Sequence, residues 1–135
     1  MYEDNFILQE YISDLNICDE LIEYHQNSDK KEPGPTFHGI DKKRKDSTDV
    51  SICLQNSNLE NPILIKRYLT ELQNILNLYI NKFRYCNNYS PFTIMEDINL
   101  QHYGPNQGYH EWHCERGYSN LSISARHLVF MTYLN

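Results

Sequence analysis

"TIMEDINLQHY", residues 93–103, is the stretch that decides the fold class, because the hydrophobic period of the chain changes there. Alternate side chains form two sets. One set is Ile94, Glu96, Ile98, Leu100 and His102; the other is Met95, Asp97, Asn99, Gln101 and Tyr103. An alternation of two predicts a β-strand, in which neighbouring side chains point to opposite faces. The sequence before this stretch follows a helical period instead.

Two amphipathic helices are predicted upstream of that strand. "NICDELIEYHQ" (16–26) has apolar residues at helical spacing, and Asn16 is a candidate N-cap. "NPILIKRYLTELQNILNLYINKF" (61–83) is the clearest helix of the chain, with Asn61 as cap and Pro62 in the first turn. Residues 29–49 are charged and interrupted by proline and glycine, which predicts a long loop.

Downstream, "GPNQG" (104–108) predicts a turn and "ARHLVFMTYLN" (125–135) a second strand. The whole chain, 1–135, has the length of one domain. We expect residues 1–91 to form a helical layer containing loop 29–49, and residues 92–135 to form the sheet. Helices followed by strands predict an α+β fold with a mostly antiparallel sheet.

Charge and cysteine usage narrow the class of protein. The net charge is −6, so nucleic acid and anionic membranes are not expected partners. The basic run 42–45 is interpreted as a solvated loop, with a phosphate-contacting patch as the alternative. Four widely spaced cysteines favour reduced thiols and a cytoplasmic location, with two long-range disulfides as the alternative. The sequence has neither a leader pattern at its start nor a run of roughly 20 apolar residues, so no membrane span is predicted.

"QHYGPNQGYHEWHCERG" (101–117) concentrates metal-capable side chains, and two zinc arrangements there are disfavoured. His110 and His113 are three positions apart, whereas a helical zinc-protease motif needs four, and the flanking glycines and proline oppose a helix. A structural zinc held by His110, His113 and Cys114 lacks a second ligand pair at suitable spacing.

A third arrangement uses extended backbone. Residues at i and i+2 project from the same face of a strand, so His113 and Glu115 can present an imidazole and a carboxylate to one ion. Trp112 and Cys114 then face away, and Trp112 is expected in the core. One imidazole and one carboxylate are two of the three ligands of a two-histidine, one-carboxylate site for non-haem Fe(II). The alternative is a chance pair at the surface.

The surroundings of that pair resemble a known family. Tyr103, then His113 and Glu115, then Arg126 and the ending "YLN" occur in the order and at the separations of the prolyl 4-hydroxylase-like branch of the Fe(II)/2-oxoglutarate-dependent dioxygenases. The helical half, including "KDSTD" (45–49), is similar to the phage and bacterial type. The resemblance covers nearly the whole chain and is strongest over residues 98–135.

The resemblance implies a site and a fold. His113 and Glu115 would bind Fe(II), while Tyr103 and Tyr133 would bind 2-oxoglutarate. O2 is the other co-substrate, and ascorbate is a further cofactor associated with the family. Arg126 is expected to position its strand. The fold implied is a layer of helices on a double-stranded β-helix of the jelly-roll or cupin type. The activity implied is hydroxylation of a prolyl or similar side chain in a peptide or protein.

The resemblance also leaves two family features unassigned: a distal histidine and a basic residue that pairs with 2-oxoglutarate. A double-stranded β-helix has about eight strands. Residues 92–135 have room for only about half of them, at roughly five to six residues per strand. We therefore expect an N-terminal portion with an incomplete β-helix, inactive by itself. The alternative is a non-catalytic binding or assembly module, which a partner chain or self-association completes at the open sheet edge.

Overall fold

The computed structural model describes residues 5–56, 59–88, 90–94, 96–118 and 121–135, and the fold is mixed α+β. Its elements, in chain order, are three α-helices, three strands and one 3₁₀-helix, η1. They are α1 (Asn16–Asn27), β1 (Glu32–Pro33), β2 (Thr48–Ile52), α2 (Pro62–Lys82), η1 (Arg84–Asn87), β3 (Ile98–His102) and α3 (Leu121–Ser124). The predicted fold class, α+β with an antiparallel sheet, is thus confirmed at this level.

Helix α2 begins where its sequence predicts. Asn61 has a left-handed backbone (φ 49°), and its side chain accepts a hydrogen bond from the backbone N–H of Leu64 at 3.4 Å. Pro62 occupies the first turn, where the missing N–H costs nothing. Leu64, Ile65 and Tyr68 are the buried residues of the helix. Local capping chemistry and the apolar period are therefore sufficient to define this helix.

Helix α1 also forms as predicted, but its cap differs. Leu15 precedes the helix without a capping side chain, and Asn16 is the first helical residue. The Asn16 side chain donates instead to Asp14 Oδ1 at 3.0 Å. Asp14 and Glu20 both bind Arg67 of α2, with 2.7 Å between Arg67 Nη1 and Glu20 Oε1. The prediction of Asn16 as N-cap was wrong because the start of α1 is anchored by this inter-helix contact.

The sheet has the order β1-β2-β3 and is antiparallel throughout. Val50 pairs with Leu100 and Ile52 with Ile98, while Asp49 lies opposite Gln101. Its central strand, β2, lies within the part of the chain expected to be helices and loop. The loop predicted over 29–49 therefore contains β1 and the start of β2. Two short strands were missed because pairing within the sheet, of β1 with β2 and of β2 with β3, stabilises them rather than local sequence.

The hydrophobic core lies between the two long helices and one face of the sheet. Residues from α1, α2, β2 and β3 fill it, together with Ile12. The cluster comprises Ile12, Ile17, Cys18, Leu21, Val50, Ile52, Leu64, Ile65, Tyr68, Ile98 and Leu100. The opposite face of the sheet is polar, since side chains alternate along β2 and β3. That alternation leaves a polar surface on which a site can be built.

The predicted strand over 125–135 is not present. Residues 126–135 are assigned no strand; they follow α3 and extend along the helical layer. Thr132 Oγ1 lies 2.8 Å from Tyr68 Oη, and Leu134 packs against the core. The His127 ring nitrogen lies 2.7 Å from the Cys86 carbonyl oxygen. Contacts with the helical layer thus hold Thr132 and Leu134 without a strand partner, whereas Phe130 is exposed.

Two further features concern membrane-spanning helices and the state of the cysteines. In the described part of the chain, no helix has both the length and the apolar character needed to cross a membrane. All four cysteines are free thiols, and Cys18 is the buried one. Burial raises the pKa of the Cys18 thiol.

The contact between Asp14 and Arg67 predicts a pH dependence. The hydrogen bond from Arg67 lowers the pKa of Asp14 in the folded state. A lowered pKa contributes stability that is present above the unfolded value of about 3.9 and is lost as the pH falls through the folded value. Asp14→Asn should therefore lower the free energy of unfolding at neutral pH and flatten its dependence on pH below about 4.

Urea unfolding at a series of pH values, followed by circular dichroism, measures this dependence. Asp29→Asn is the control, since Asp29 is an exposed carboxylate just after α1. If the free energy of unfolding depended on pH equally in the wild type and in Asp14→Asn, this would contradict the contribution assigned to Asp14.

Candidate functional site

A cavity of about 500 Å³ opens on the polar face of the sheet. Its wall is formed by β3, by the segment after β1, by Lys45, and by residues from 109–118 and 123–126. The lining residues are Pro35, Thr36, Phe37, Lys45, Asn99, Gln101, Tyr109, His113, Cys114, Glu115, Gly117, Tyr118, Ile123 and Arg126. They include an imidazole, a carboxylate, a guanidinium and two side-chain amides, so the cavity suits a polar ligand.

Strand β3 supplies the polar floor of the cavity. Ile98 and Leu100 point into the core, so Asn99 and Gln101 project from the opposite face. Tyr103 follows on the same side, and its hydroxyl donates to Gln101 Oε1 at 2.9 Å. Burial raises the pKa of Tyr103, so its phenol stays protonated and remains a hydrogen-bond donor.

His113 and Glu115 converge at the wall of the cavity. The His113 Nε2 and Glu115 Oε1 atoms are 3.0 Å apart, and both side chains are about half exposed. The other ring nitrogen of His113 is 3.1 Å from the Glu111 carbonyl oxygen, and its ring stacks on Tyr109 with 4.0 Å between centroids. The imidazole is therefore held from three sides, which fixes its orientation.

The segment that carries this pair is irregular rather than a strand. Residues 111–118 have no strand assignment, and Cys114 lines the cavity together with His113 and Glu115. The expectation that Cys114 faces away was wrong for this reason. Trp112 is fully exposed rather than in the core. Because the segment lacks the regular alternation of a strand, residues two positions apart need not point to the same side.

Arg126 connects the pair to β3. Its Nε donates to Glu96 Oε1 at 2.7 Å, and its Nη1 donates to Glu115 Oε2 at 3.1 Å. The hydrogen bond from Arg126 lowers the pKa of Glu96, and the same contact raises the pKa of Arg126. The Arg126 side chain thus lies between the carboxyl groups of Glu96 and Glu115.

A buried polar cluster lies beneath the cavity. Lys45 Nζ donates to Asp49 Oδ2 at 2.7 Å, Ser47 Oγ donates to Asp49 Oδ1 at 2.7 Å, and Asn99 Nδ2 donates to Asp49 Oδ2 at 2.8 Å. Lys45 is 4% exposed and Asp49 is 5% exposed. The interpretation of the basic run 42–45 as a solvated loop was therefore wrong for Lys45. The run is flanked by acidic residues and gave no sign of burial, which depends on β2 joining the sheet.

The other residues singled out from sequence lie elsewhere. Tyr133 is 83% exposed and is not among the residues that line the cavity. The His102 ring contacts His25 of α1, with 5.7 Å between centroids. The structure thus brings His113 and Glu115 together, places Tyr103 just behind the floor, and leaves Tyr133 outside.

The separation of the two donor atoms of His113 and Glu115 bears on whether they could hold Fe(II). Two ligands at right angles, each with a metal bond of about 2.1 Å, lie about 3.0 Å apart. This is the distance between His113 Nε2 and Glu115 Oε1. Within the described residues, however, no group of three His, Cys, Asp or Glu side chains could hold a metal ion. The separation of these two atoms thus equals that of two adjacent ligands, but the described residues do not by themselves form a metal site.

Comparisons with known proteins add nothing to this assignment: no family model, no curated protein and no solved structure gives a significant match to the chain.

Proposed function

We propose that this chain belongs to an Fe(II)- and 2-oxoglutarate-dependent dioxygenase that hydroxylates a prolyl or similar side chain of a peptide or protein. One observation carries the proposal. An imidazole and a carboxylate lie 3.0 Å apart at the wall of a cavity whose floor is polar. The resemblance of residues 98–135 to the prolyl 4-hydroxylase-like branch supplies the identity of the metal and of the co-substrate.

The residues of this chain would hold and orient the reactants. His113 and Glu115 would bind Fe(II), which together with 2-oxoglutarate and O2 supplies the oxidising chemistry. Asn99 and Gln101 would offer amide hydrogen bonds to a carboxylate in the cavity, and Tyr103 would hold Gln101 in place. In this proposal Tyr133 reaches the co-substrate only if residues 126–135 move.

The rim of the cavity supports a peptide substrate. Phe37 and Tyr118 are exposed aromatic side chains at its edge, and Tyr109 lies beside them. Exposed aromatic rings bind prolyl side chains and extended peptides well, because they offer flat apolar area at small entropic cost. The net charge of −6 favours a substrate that is neutral or basic.

The proposal also requires parts that the described residues do not contain. A third metal ligand and a basic partner for 2-oxoglutarate must complete the cavity. Further strands would be needed to extend the three-stranded sheet into a double-stranded β-helix. The exposed polar edge of β3 offers one place at which such strands could pair.

Anaerobic titration with Fe(II) and 2-oxoglutarate tests the proposal. We expect a charge-transfer absorption that requires protein, Fe(II) and 2-oxoglutarate together, followed by succinate formation when O2 is admitted to a complete form of the enzyme. His113→Ala should abolish both signals, because it removes one of two ligands. Mutating a residue that only hydrogen-bonds to a metal ligand typically lowers metal affinity about tenfold or more. Removing a ligand itself should lower it further.

His110→Ala is the matched control, since His110 is an exposed histidine of the same segment. It should retain both signals. Retained succinate formation in His113→Ala would contradict the iron assignment, and loss of metal in His110→Ala would favour the zinc arrangement instead.

A second candidate is a non-catalytic binding or assembly module, and the surface of residues 126–135 favours it. Val129, Met131 and Tyr133 are exposed along an extended segment that has no strand assignment. A partner chain or a second copy could cover them. This candidate predicts a defined oligomer in analytical ultracentrifugation, together with no spectral response to Fe(II) and 2-oxoglutarate. A monomer with that spectral response would eliminate it.

A further inference from the structure

The two edges of the sheet differ in how well they are protected against pairing with a further strand. Strand β1 forms one edge with only two residues, Glu32 and Pro33, and a short strand with a charge and a proline resists such pairing. Strand β3, Ile98–His102, forms the other edge. None of its five residues carries a fixed charge, and none is proline or glycine. Within the described residues β3 pairs only with β2, so its outer edge keeps the capacity to pair.

The side-chain amides of β3 are held in a fixed orientation. Asn99 Nδ2 donates to Asp49 Oδ2 of β2 at 2.8 Å, so Asn99 Oδ1 points away from Asp49. Gln101 Oε1 accepts from the Tyr103 hydroxyl at 2.9 Å, which leaves Gln101 Nε2 as a donor. Among the described residues, neither Asn99 Oδ1 nor Gln101 Nε2 has a hydrogen-bond partner. The polar face of β3 thus presents one acceptor and one donor, two residues apart.

A second copy of the chain offers the complementary groups. If β3 lies antiparallel to β3 of a second copy, the register that pairs all five residues places Leu100 opposite Leu100 of that copy. Asn99 then lies opposite Gln101 of the second copy, and the same pair recurs on the other side of the two-fold axis. Directly opposite residues share a face, so both hydrophobic cores stay on one side of the joined sheet. The acceptor of each chain meets the donor of the other.

We propose that the β3 edge is an interface between two copies of this chain, in which β3 pairs antiparallel with β3 and the two-fold axis passes beside Leu100. The joined sheet has the order β1-β2-β3-β3-β2-β1. The contact is self-complementary, since the same residues serve on both sides. The inference goes beyond the proposed function and rests on the sheet alone. It occupies the edge at which additional strands of a β-helix would otherwise pair, so the two arrangements exclude each other there.

The second copy also contributes to the cavity. Asn99 and Gln101 line the floor of the cavity on the edge strand. Opposite residues of paired strands have Cβ atoms about 4.5–5.5 Å apart. The amide side chains of the second copy therefore continue the polar floor across the two-fold axis, and the two cavities open on the same face of the joined sheet.

Sedimentation equilibrium over a series of protein concentrations measures the dimer, which we expect in the wild type. Two double variants test the register. Asn99→Lys/Gln101→Lys places lysine opposite lysine at both amide pairs, whereas Asn99→Lys/Gln101→Glu places lysine opposite glutamate. Both lose the hydrogen bond from Asn99 to Asp49, so a difference between them reports on pairing between copies. We expect the dissociation constant of the dimer to be about tenfold higher, or more, in the first variant than in the second.

Glu32→Lys is the matched control. It changes the net charge by the same amount as Asn99→Lys/Gln101→Lys, but at the β1 edge. It should dimerise as the wild type does, and circular dichroism checks that each variant is folded. Equal dissociation constants in the two double variants, or an equal loss of the dimer in Glu32→Lys, would show that this register is not the interface.

Amide hydrogen exchange of the wild type is the second measurement, and it remains decisive where a variant does not fold. About half of the N–H groups of an edge strand point outward, and pairing with a second copy protects them. Exchange of these β3 amides should slow as the protein concentration rises through the range in which the dimer forms. A dimer with unchanged exchange in β3 would place the interface elsewhere and overturn the inference. A wild type that stays monomeric throughout also overturns it, and leaves the iron titration to decide the proposed function.

Discussion

Asp49→Ala should be the most destabilising single substitution among the polar residues near the cavity. It leaves the ammonium of Lys45 buried without a counter-charge, and it removes the acceptor used by Ser47 and Asn99. Breaking a buried ion pair by removing one partner typically costs about 3–5 kcal/mol. Domains of this kind have a total stability of roughly 5–15 kcal/mol, so the loss is a large fraction of the whole.

Urea unfolding followed by circular dichroism gives the change in the free energy of unfolding. The control is Glu60→Gln, which breaks the ion pair between Glu60 and Lys30 at the surface, where both side chains are half exposed or more. It should cost only a small fraction of the loss in Asp49→Ala, since solvent screens such pairs.

The double variant Lys45→Met/Asp49→Ala tests the cause. Removing both charges leaves no buried ion, so the double variant should be more stable than Asp49→Ala alone. If Asp49→Ala were as stable as the wild type, or if the double variant were the less stable one, the buried pair would not be what holds this region together.

Gly34→Ala should also lower stability, by about 1–3 kcal/mol, the usual range for overpacking. A Cβ atom at position 34 would lie 2.0 Å from Ser47 Oγ, 2.8 Å from Lys45 Cε and 2.9 Å from Asp49 Oδ1. The backbone of Gly34 approaches the buried cluster this closely because its N–H donates to the Ser47 carbonyl oxygen at 3.0 Å. A methyl group there must displace β1 or the cluster.

Thermal and urea unfolding of two further variants test this explanation. In Gly117→Ala the nearest atom of the described residues to the new Cβ would be Ile123 Cγ2 at 3.4 Å, so the change in stability should be small. Ser47→Ala removes the atom nearest to the new methyl group. Gly34→Ala should therefore cost less in a Ser47→Ala background than in the wild type. Equal costs in the two backgrounds would exclude a clash with Ser47 as the cause.

The parts of the fold predicted from sequence are those that local interactions define. Helix α2 has its own cap at Asn61 and a long apolar period, and β3 has a clear alternation. In contrast, β2 includes the charged Asp49 and forms because its partner strands and the core surround it. The alternation over 125–135 predicted a strand, but alternation specifies two faces and not a hydrogen-bonding partner.

The candidate site likewise has contacts that the sequence predicts and contacts that it does not. His113 and Glu115 are separated by one residue, so their proximity follows from short-range geometry, although the segment is not a strand. The contact between Arg126 and Glu96 joins residues 30 positions apart and has no sequence signal. The burial of Lys45 likewise follows from the packing of Gly34 and β2 over it.

The sequence by itself determined the α+β class, the two long helices and the pairing of an imidazole with a carboxylate, because each depends on residues a few positions apart. Only the tertiary structure decided that β2 is the central strand, that Lys45 and Asp49 form a buried ion pair, and that Arg126 holds Glu115. These depend on which distant segments exclude water from one another, and burial of that kind cannot be inferred from neighbours along the chain.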